Sequence, residues 1–367
     1  MRVIDDAAAI ELLTRMVRTQ SFSYEEAALA EDLRTQAGAL GFDARVDQAG
    51  NWIAEWGDSG PVIALVGHLD TVTGFWPVEI RDGILHGRGS VDAKGPLACF
   101  LVAASRAAAE SKALGTPLRL RVVGVTEEEV PSSKGARYLA KDPAPDYLII
   151  GEPSAWDGIT LGYKGYLKVS LRIDGERSHT AHEGPTIAAR ACSLWQEFEQ
   201  AVAQWNCGRR RVFDQLLPAL LDIRCDGDGR TASATLSIAI RLPVDLDGAQ
   251  TLEWLHTVLG SDVSIESRDV PVPAWEGPRT GPLARTLGRT MLSRGVKPRY
   301  QVKTGTADLN ILAPAWDCPA IAYGPGNAAL DHRPDEHIVL EEYLQAIEIL
   351  KDCLLELART QTGVQVG

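Results

Sequence analysis

His68 and Asp70 stand two residues apart at the end of the apolar run Val62 to Val66, and a second acid, Asp92, follows a glycine-rich turn. A neutral imidazole nitrogen and carboxylate oxygens are donors that zinc accepts, at about 2.0–2.2 Å from each atom. On an extended chain Asp70 lies on the same side as His68, where it can accept the second ring N–H and fix the tautomer. Further on, the run Leu118 to Thr126 ends in Glu127, Glu128 and Glu129. Adjacent carboxylates repel one another in a dry pocket. A dication relieves the repulsion by taking one as a ligand, and the other is then free to work as a base toward water. Glu152, after the run Tyr147 to Ile150, is a further candidate oxygen ligand, and His332 follows a glycine-rich turn at Tyr323 to Gly326.

These residues need elements that bring strand ends together. The spacing of apolar residues predicts helices over Ala7 to Val17 and Tyr24 to Leu40, the second opening on Ser23 and Glu26 as a capping box and stopping at Gly41. Strands are expected at Phe42 to Val46, Trp52 to Trp56, Val62 to Val66, Leu118 to Thr126 and Tyr147 to Ile150, with helices at Leu97 to Ala109 and Lys134 to Ala140. Strand, polar tip and helix in repetition indicate a doubly wound α/β domain with its site along the carboxyl edge of the sheet. From about Tyr166 the pattern changes to alternating strands and amphipathic helices, an α+β insert, and Pro271, Pro273 and Pro278 read as a linker. The later helices Leu283 to Leu292 and Leu340 to Ala358, with the strand Pro319 to Tyr323 between them, return to α/β character.

At 367 residues two domains are expected, and 45% hydrophobic content suffices for two cores. The 49 acidic residues outnumber the 37 basic ones, and no basic stripe is present, which argues against a nucleic-acid partner. The run Gly208 to Arg211 reads as solvated surface. Six scattered cysteines, without a Cys-x-x-Cys pair, are expected to be reduced and mostly buried. There is no signal-peptide pattern and no apolar run near the ~20 residues of a membrane span, so a cytoplasmic protein is expected.

The segments GHLDTV, GRGSVDAKG, EEE, GEP, GYKG, SHTAHEG and DHRPDE, in this order, resemble the ArgE/DapE-type family of dinuclear zinc amidohydrolases and exopeptidases, over nearly the whole chain. The resemblance implies a zinc-peptidase-like catalytic domain at 1–165 and 279–367 and an inserted ferredoxin-like α+β dimerisation or lid domain at 166–278, in a homodimer. It implies two zinc ions, with cobalt as a possible substitute. His68 and Glu152 would hold one ion, Glu129 and His332 the other, and Asp92 both, with a cis peptide to Ala93. Glu128 would be the general base and Asp70 would orient His68. A register one residue earlier in the triple glutamate, through Glu127 and Glu128, stays open as an alternative.

The resemblance further implies that His179 stabilises the oxyanion across the dimer interface, that Arg241 pairs with a substrate carboxylate, and that Gly324 lies against substrate. His86, His182, His256 and His337 carry no such implication. Within the family, TEEEVPSSKG, GYKGYLKV and KTGTADLNIL are most similar to hydrolases of lysine and arginine biosynthesis. These release lysine or ornithine from the γ-carboxyl of the terminal glutamate of an acidic carrier protein, LysW. Deacetylation of N-acetylornithine or N-acetyllysine is the alternative, followed by desuccinylation of succinyl-diaminopimelate, dipeptide hydrolysis and a metal-free binding protein. An acidic partner needs a local positive patch on a chain of net charge −12, and Arg209, Arg210 and Arg211 are the candidates.

Overall fold

The computed structural model describes residues 3–176, 184–228, 230–266 and 269–361. It divides into two compact units, Met1–Gly162 with Gly277–Val302 and Ala307–Gly367, and Tyr163–Glu276 with Lys303–Thr306. The chain opens with α1 (Asp6–Arg18), α2 (Ala27–Leu40), β1 (Asp43–Val46), β2 (Trp52–Trp56), β3 (Val62–His68), β4 (Glu79–Arg81) and β5 (Ile84–His86). Next come α3 (Lys94–Leu114), β6 (Arg119–Val125), α4 (Lys134–Leu139), β7 (Tyr147–Ile150), β8 (Ala155–Tyr163) and β9 (Gly165–Glu176). The strands β10 (Leu217–Gly227), β11 (Thr231–Leu242), β12 (Val263–Glu266) and β13 (Trp275–Glu276) alternate with α5 (Ile187–Trp205) and α6 (Gly248–Val258). The chain ends through α7 (Pro282–Ser293), β14 (Arg299–Lys303), α8 (Leu309–Trp316), β15 (Ala320–Gly324), β16 (His337–Val339) and α9 (Leu340–Gln361).

In the first unit β6, β3, β7 and β15 lie side by side and parallel, while β2 and β8 add antiparallel strands beyond β6 and β15. The parallel strands are continuous apolar runs, as burial on both faces requires: Ile63 to Val66 and Leu148 to Ile150 are at most 1% exposed. Parallel pairing places the carboxyl ends of β3, β6 and β7 on one edge, so His68, the glutamate triplet and Glu152 share that edge. Helix α3 is buried along nearly its whole length, which its alanine-rich sequence permits. A small antiparallel sheet, β16-β5-β4, ties the segment before Asp92 to the segment after His332.

The second unit is an antiparallel sheet in the order β10-β11-β9-β12. Alternate residues Leu167, Val169, Leu171 and Ile173 of β9 and Leu236, Ile238 and Ile240 of β11 form a core with Leu194 and Phe198 of α5 and Leu255 of α6. This is the α+β pattern expected of the sequence, with one addition. Strand β10 was not foreseen, because a register shift between Leu220 and Asp222 interrupts its alternation and most of its residues are exposed.

Other expectations need correction. Helix α2 starts at Ala27, its N-cap Glu26 makes no side-chain cap, and Tyr24 has φ 75°, so no capping box forms at Ser23. The proline-marked linker is partly structured, since Val272 bridges Tyr166 and β13 follows. The six cysteines are free, but Cys192, Cys207 and Cys225 are exposed, and only Cys99 and Cys353 are buried. Among the described residues no helix is long and apolar enough to cross a membrane.

Candidate metal centre

His68 ends β3 and is buried, and its ring is fixed from both sides. Nδ1 lies 2.8 Å from the Asp70 main-chain oxygen and Nε2 lies 3.1 Å from Asp92 Oδ1. Asp70 thus meets the ring through its carbonyl, with its carboxylate Oδ1 3.6 Å from Nδ1. Asp92 sits just before α3, its peptide to Ala93 is cis, and its second oxygen is 3.1 Å from His332 Nε2. His332 adopts φ 61° in the loop before β16, and Nε2 is also 3.1 Å from Glu129 Oε2. Donor atoms of His68, Asp92 and Glu129 lie within 4.8 Å of one another.

The glutamate triplet is held by its amides. The Glu127 N–H donates to Glu26 Oε1 at 3.1 Å, and the Glu128 and Glu129 N–H groups donate to the two oxygens of Asp70 at 3.0 Å each. Asp70 also accepts the Ser23 hydroxyl at 2.8 Å. Ser23 and Glu26, the pair that the sequence assigns to a helix cap, are therefore spent on the strand tip. Glu127, at φ 59°, accepts from Ser132 Oγ at 2.6 Å and lies 3.4 Å from Lys134 Nζ, so its carboxylate has partners of its own.

The electrostatics of this edge call for positive charge. Burial pushes the Glu128 carboxyl well above the usual range; His68 opposes the shift, and the charges of Glu152, Asp308 and Glu129 add to it. Glu129 is raised in the same way by burial, against its hydrogen bond with His332. Asp92 is buried too, but His332 and His68 hold its carboxyl well below the usual range. His332, between Asp92 and Glu129, is pushed up to about 10. Carboxylates that repel one another, interleaved with two imidazoles whose pKa they raise, match the donor chemistry of a divalent metal, which would take the place of protons there. The residues fit such an ion.

Glu152 follows β7 and is buried, and its charge reaches Glu128. At Gly324 an added Cβ would lie 2.7 Å from Pro96 Cβ and 2.9 Å from the main-chain oxygen of Glu152, so β15 can run this close only with glycine there. Arg241, in the second unit, donates to Thr306 Oγ1 at 2.7 Å and stacks 4.9 Å from the Tyr166 ring. His179 lies outside the described residues, as does His182. His86 and His337 pack on each other with ring centroids 5.2 Å apart.

Sequence reasoning missed Asp308, which is 3% exposed and whose carboxyl burial pushes up to about 7, against the charge of His68 and with that of Asp70. In TGTAD it reads as a helix N-cap, and it does occupy that position of α8, although its side chain makes no cap. A cap that withholds its side chain from the helix has no signature in sequence.

The family described as Peptidase family M20/M25/M40 matches residues 64–356. A protein of Deinococcus radiodurans named LysW-lysine hydrolase is 40% identical over 360 residues, covering 96% of this chain and 98% of that protein. Among solved structures, a tripeptidase from Staphylococcus aureus superposes with a TM-score of 0.78 at 15% identity, over 98% of this chain and 100% of that one. An M20 family metallo-carboxypeptidase from Sulfolobus solfataricus gives a TM-score of 0.76 at 17% identity, over 97% and 100%. With the family pattern spanning most of the sequence and the fold shared over nearly all of it, this chain belongs to the M20/M25/M40 peptidase family.

Proposed function

We propose that this protein is a metal-dependent amide hydrolase that releases lysine, or ornithine, from the γ-carboxyl of the terminal glutamate of LysW, in the cytoplasm. The chemistry rests on one observation, a half-buried carboxylate, Glu128, raised in pKa beside the donor cluster of His68, Asp92 and Glu129. The choice of substrate rests on the relative from Deinococcus radiodurans. His68 and Glu152 are assigned to one zinc or cobalt ion, Glu129 and His332 to a second, and Asp92 to both. Divalent metal at this edge supplies Lewis acidity toward the amide carbonyl.

The chain's own residues do the rest. Glu128 takes a proton from the attacking water and returns it to the departing amine as the C–N bond breaks, a task suited to a carboxylate whose pKa burial has raised. Asp70 fixes the amides of Glu128 and Glu129, so base and ligand hold their relative register. The partners that Glu127 finds in Ser132 and Lys134 support its exclusion from both roles. Residues 1–165 and 279–367 are assigned to catalysis and 166–278 to dimerisation. There Arg241 is assigned to the substrate carboxylate and His179, from the other protomer, to the oxyanion; Gly324 borders the substrate.

Docking of an acidic carrier finds less help in the arginine run than the sequence suggests. Arg209 is paired with Asp245 at 2.8 Å and stacked on Trp205, and Arg211 is paired with Glu276 at 2.8 Å. Arg210 is the exposed member without an ion pair among the described residues.

Purified enzyme offered LysW-linked lysine, LysW-linked ornithine, N-acetylornithine and N-acetyllysine is the test. Release from the carrier should far exceed deacetylation, stop on chelation and return with added zinc or cobalt. Faster hydrolysis of the acetylated amino acids would make the protein a deacetylase. Substrate binding without turnover, unchanged by chelation, would make it a binding protein.

A further inference from the structure

Two buried charges next to the centre take no part in the reaction assigned above. Arg88 is 7% exposed and Glu336 fully buried, and Arg88 Nη1 donates to Glu336 Oε2 at 2.6 Å. Each also reaches the main chain of a residue in the other's loop. Glu336, in the loop that carries His332, accepts at Oε1 from the N–H groups of Val91 at 2.9 Å and Asp92 at 3.1 Å. Arg88, in the loop that carries Asp92, donates through Nη2 to the His332 oxygen at 3.3 Å, and its guanidinium lies 4.7 Å from the Trp76 ring. The antiparallel pairing of β5 with β16 brings the two loops together, and Glu336 directly precedes β16 while Arg88 follows β5 closely.

We propose that Arg88 and Glu336 are positioning residues, a reciprocal cross-tie that sets the distance between Asp92 and His332 and thereby the affinity of the centre for divalent metal. The proposal rests on the reading of Asp92 and His332 as ligands. A planar guanidinium can serve Glu336 and the His332 carbonyl at once because its donors point along a fixed fork, which lysine lacks. Glu336 likewise uses one oxygen for Arg88 and the other for the backbone. Without it, the amides of Val91 and Asp92 would lose their acceptor and Arg88 its carboxylate partner, and the tie between the two loops would be weakened. The β5–β16 ladder alone cannot hold them, because it stops short of both Asp92 and His332.

The test measures binding of cobalt(II) alone to metal-free protein, by titration calorimetry and by the visible absorption of the bound ion, for wild type, Glu336→Ala, Glu336→Gln and Arg88→Lys. Supporting partners of metal ligands are typically worth about 10–100-fold in affinity. Glu336→Ala should weaken cobalt binding by that factor and alter the spectrum. Glu336→Gln keeps an acceptor for the Asp92 amide and should recover part of the loss, and Arg88→Lys should lie between Gln and Ala. The same variants are melted without metal. A fall in metal-free melting temperature with cobalt affinity within twofold of wild type, and the spectrum unchanged, would make the pair structural and overturn the proposal. Should Glu336→Ala not fold, Glu336→Gln and Arg88→Lys decide alone. Because no substrate is used, an error about the substrate leaves this result standing, whereas wild-type protein that binds no cobalt would remove both the ligand assignment and the cross-tie.

Discussion

The second unit and the candidate metal edge of the first treat charge in opposite ways. In the second, the buried ammonium of Lys164 donates to the carbonyls of Phe213, Val212 and Gln215, and Arg241 has a hydroxyl and an aromatic face. In the first, half-buried Glu128 and Glu129 and buried Asp308 raise one another's pKa or are raised by other carboxylates nearby, while the backbone amides of Glu128 and Glu129 are held by Asp70. A charge whose needs the fold meets is architecture. A cluster whose geometry is fixed but whose charge is left uncompensated is prepared for something the fold does not supply.

That contrast predicts its own largest effect at Glu128. Glu128→Gln should keep the protein folded and its metal bound, and lower turnover by at least ~100-fold, since an amide cannot take the proton. Metal analysis beside single-turnover kinetics checks this. If Glu128→Gln loses metal while Glu129→Gln retains it, base and ligand stand one residue earlier than assigned.

Next comes the tie beneath the cluster. Asp70→Asn retains the shape but turns an N–H₂ toward the amide of Glu128 or Glu129, both donors, so it should weaken metal binding by about 10–100-fold. Ser23→Ala removes one donor to Asp70 and leaves the amides in place; it should have a small effect. Equal losses in the two variants would mean that the amide bonds are not what holds the tip.

How far the sequence carried this contrast follows from where each signal resides. Buried strands announce themselves as apolar runs, and the antiparallel Trp52–Trp56 and the parallel Tyr147–Ile150 match their expected bounds. Strands of three residues, such as Glu79–Arg81 and Ile84–His86, are too short to show alternation, and the bulge in Leu217–Gly227 erases it. At the centre, the types and order of His68, Asp92, Glu129 and His332 were legible through motifs. The supports were not: Ser23, Glu26, Glu336 and Arg88 act over sequence separations that local pattern cannot express, as in the Arg88–Glu336 pair. Ser23 and Glu26 even carried a false local meaning, because a capping box and a pair of distant acceptors use the same residue types.

The second unit offers the converse experiment. Lys164→Met removes the donor that gathers the carbonyls of Val212, Phe213 and Gln215, and leaves buried acceptors unmet at a cost of about 1–3 kcal/mol. Urea unfolding should report that loss, and cobalt affinity should stay at the wild-type value. A fall in metal affinity would break the division between a unit where charge is architecture and an edge where it is chemistry.

The smallest effect concerns a second buried cation of the first unit, in addition to Arg88. Lys94 begins α3, is 1% exposed, and donates from Nζ to the Thr19 oxygen at 2.7 Å. Burial lowers its pKa to about 7, although the charges of Glu336 and Asp70 act to raise it. In the unfolded chain an ordinary lysine titrates near ~10.4. Between these values the unfolded state binds one more proton than the folded one, so stability rises with pH. Below pH 7 both states are protonated and the penalty of the buried charge is complete; it is relieved as pH rises from 7 toward the unfolded value. For one such group the gain between pH 7 and 8 is about 1 kcal/mol. Urea unfolding of metal-free wild type and Lys94→Met at both pH values isolates it: the stability difference should shift by that amount in favour of wild type. A difference independent of pH would mean that Lys94 stays charged in the folded protein, its charge compensated by Glu336 and Asp70 as fully as the second unit's cations are by their partners.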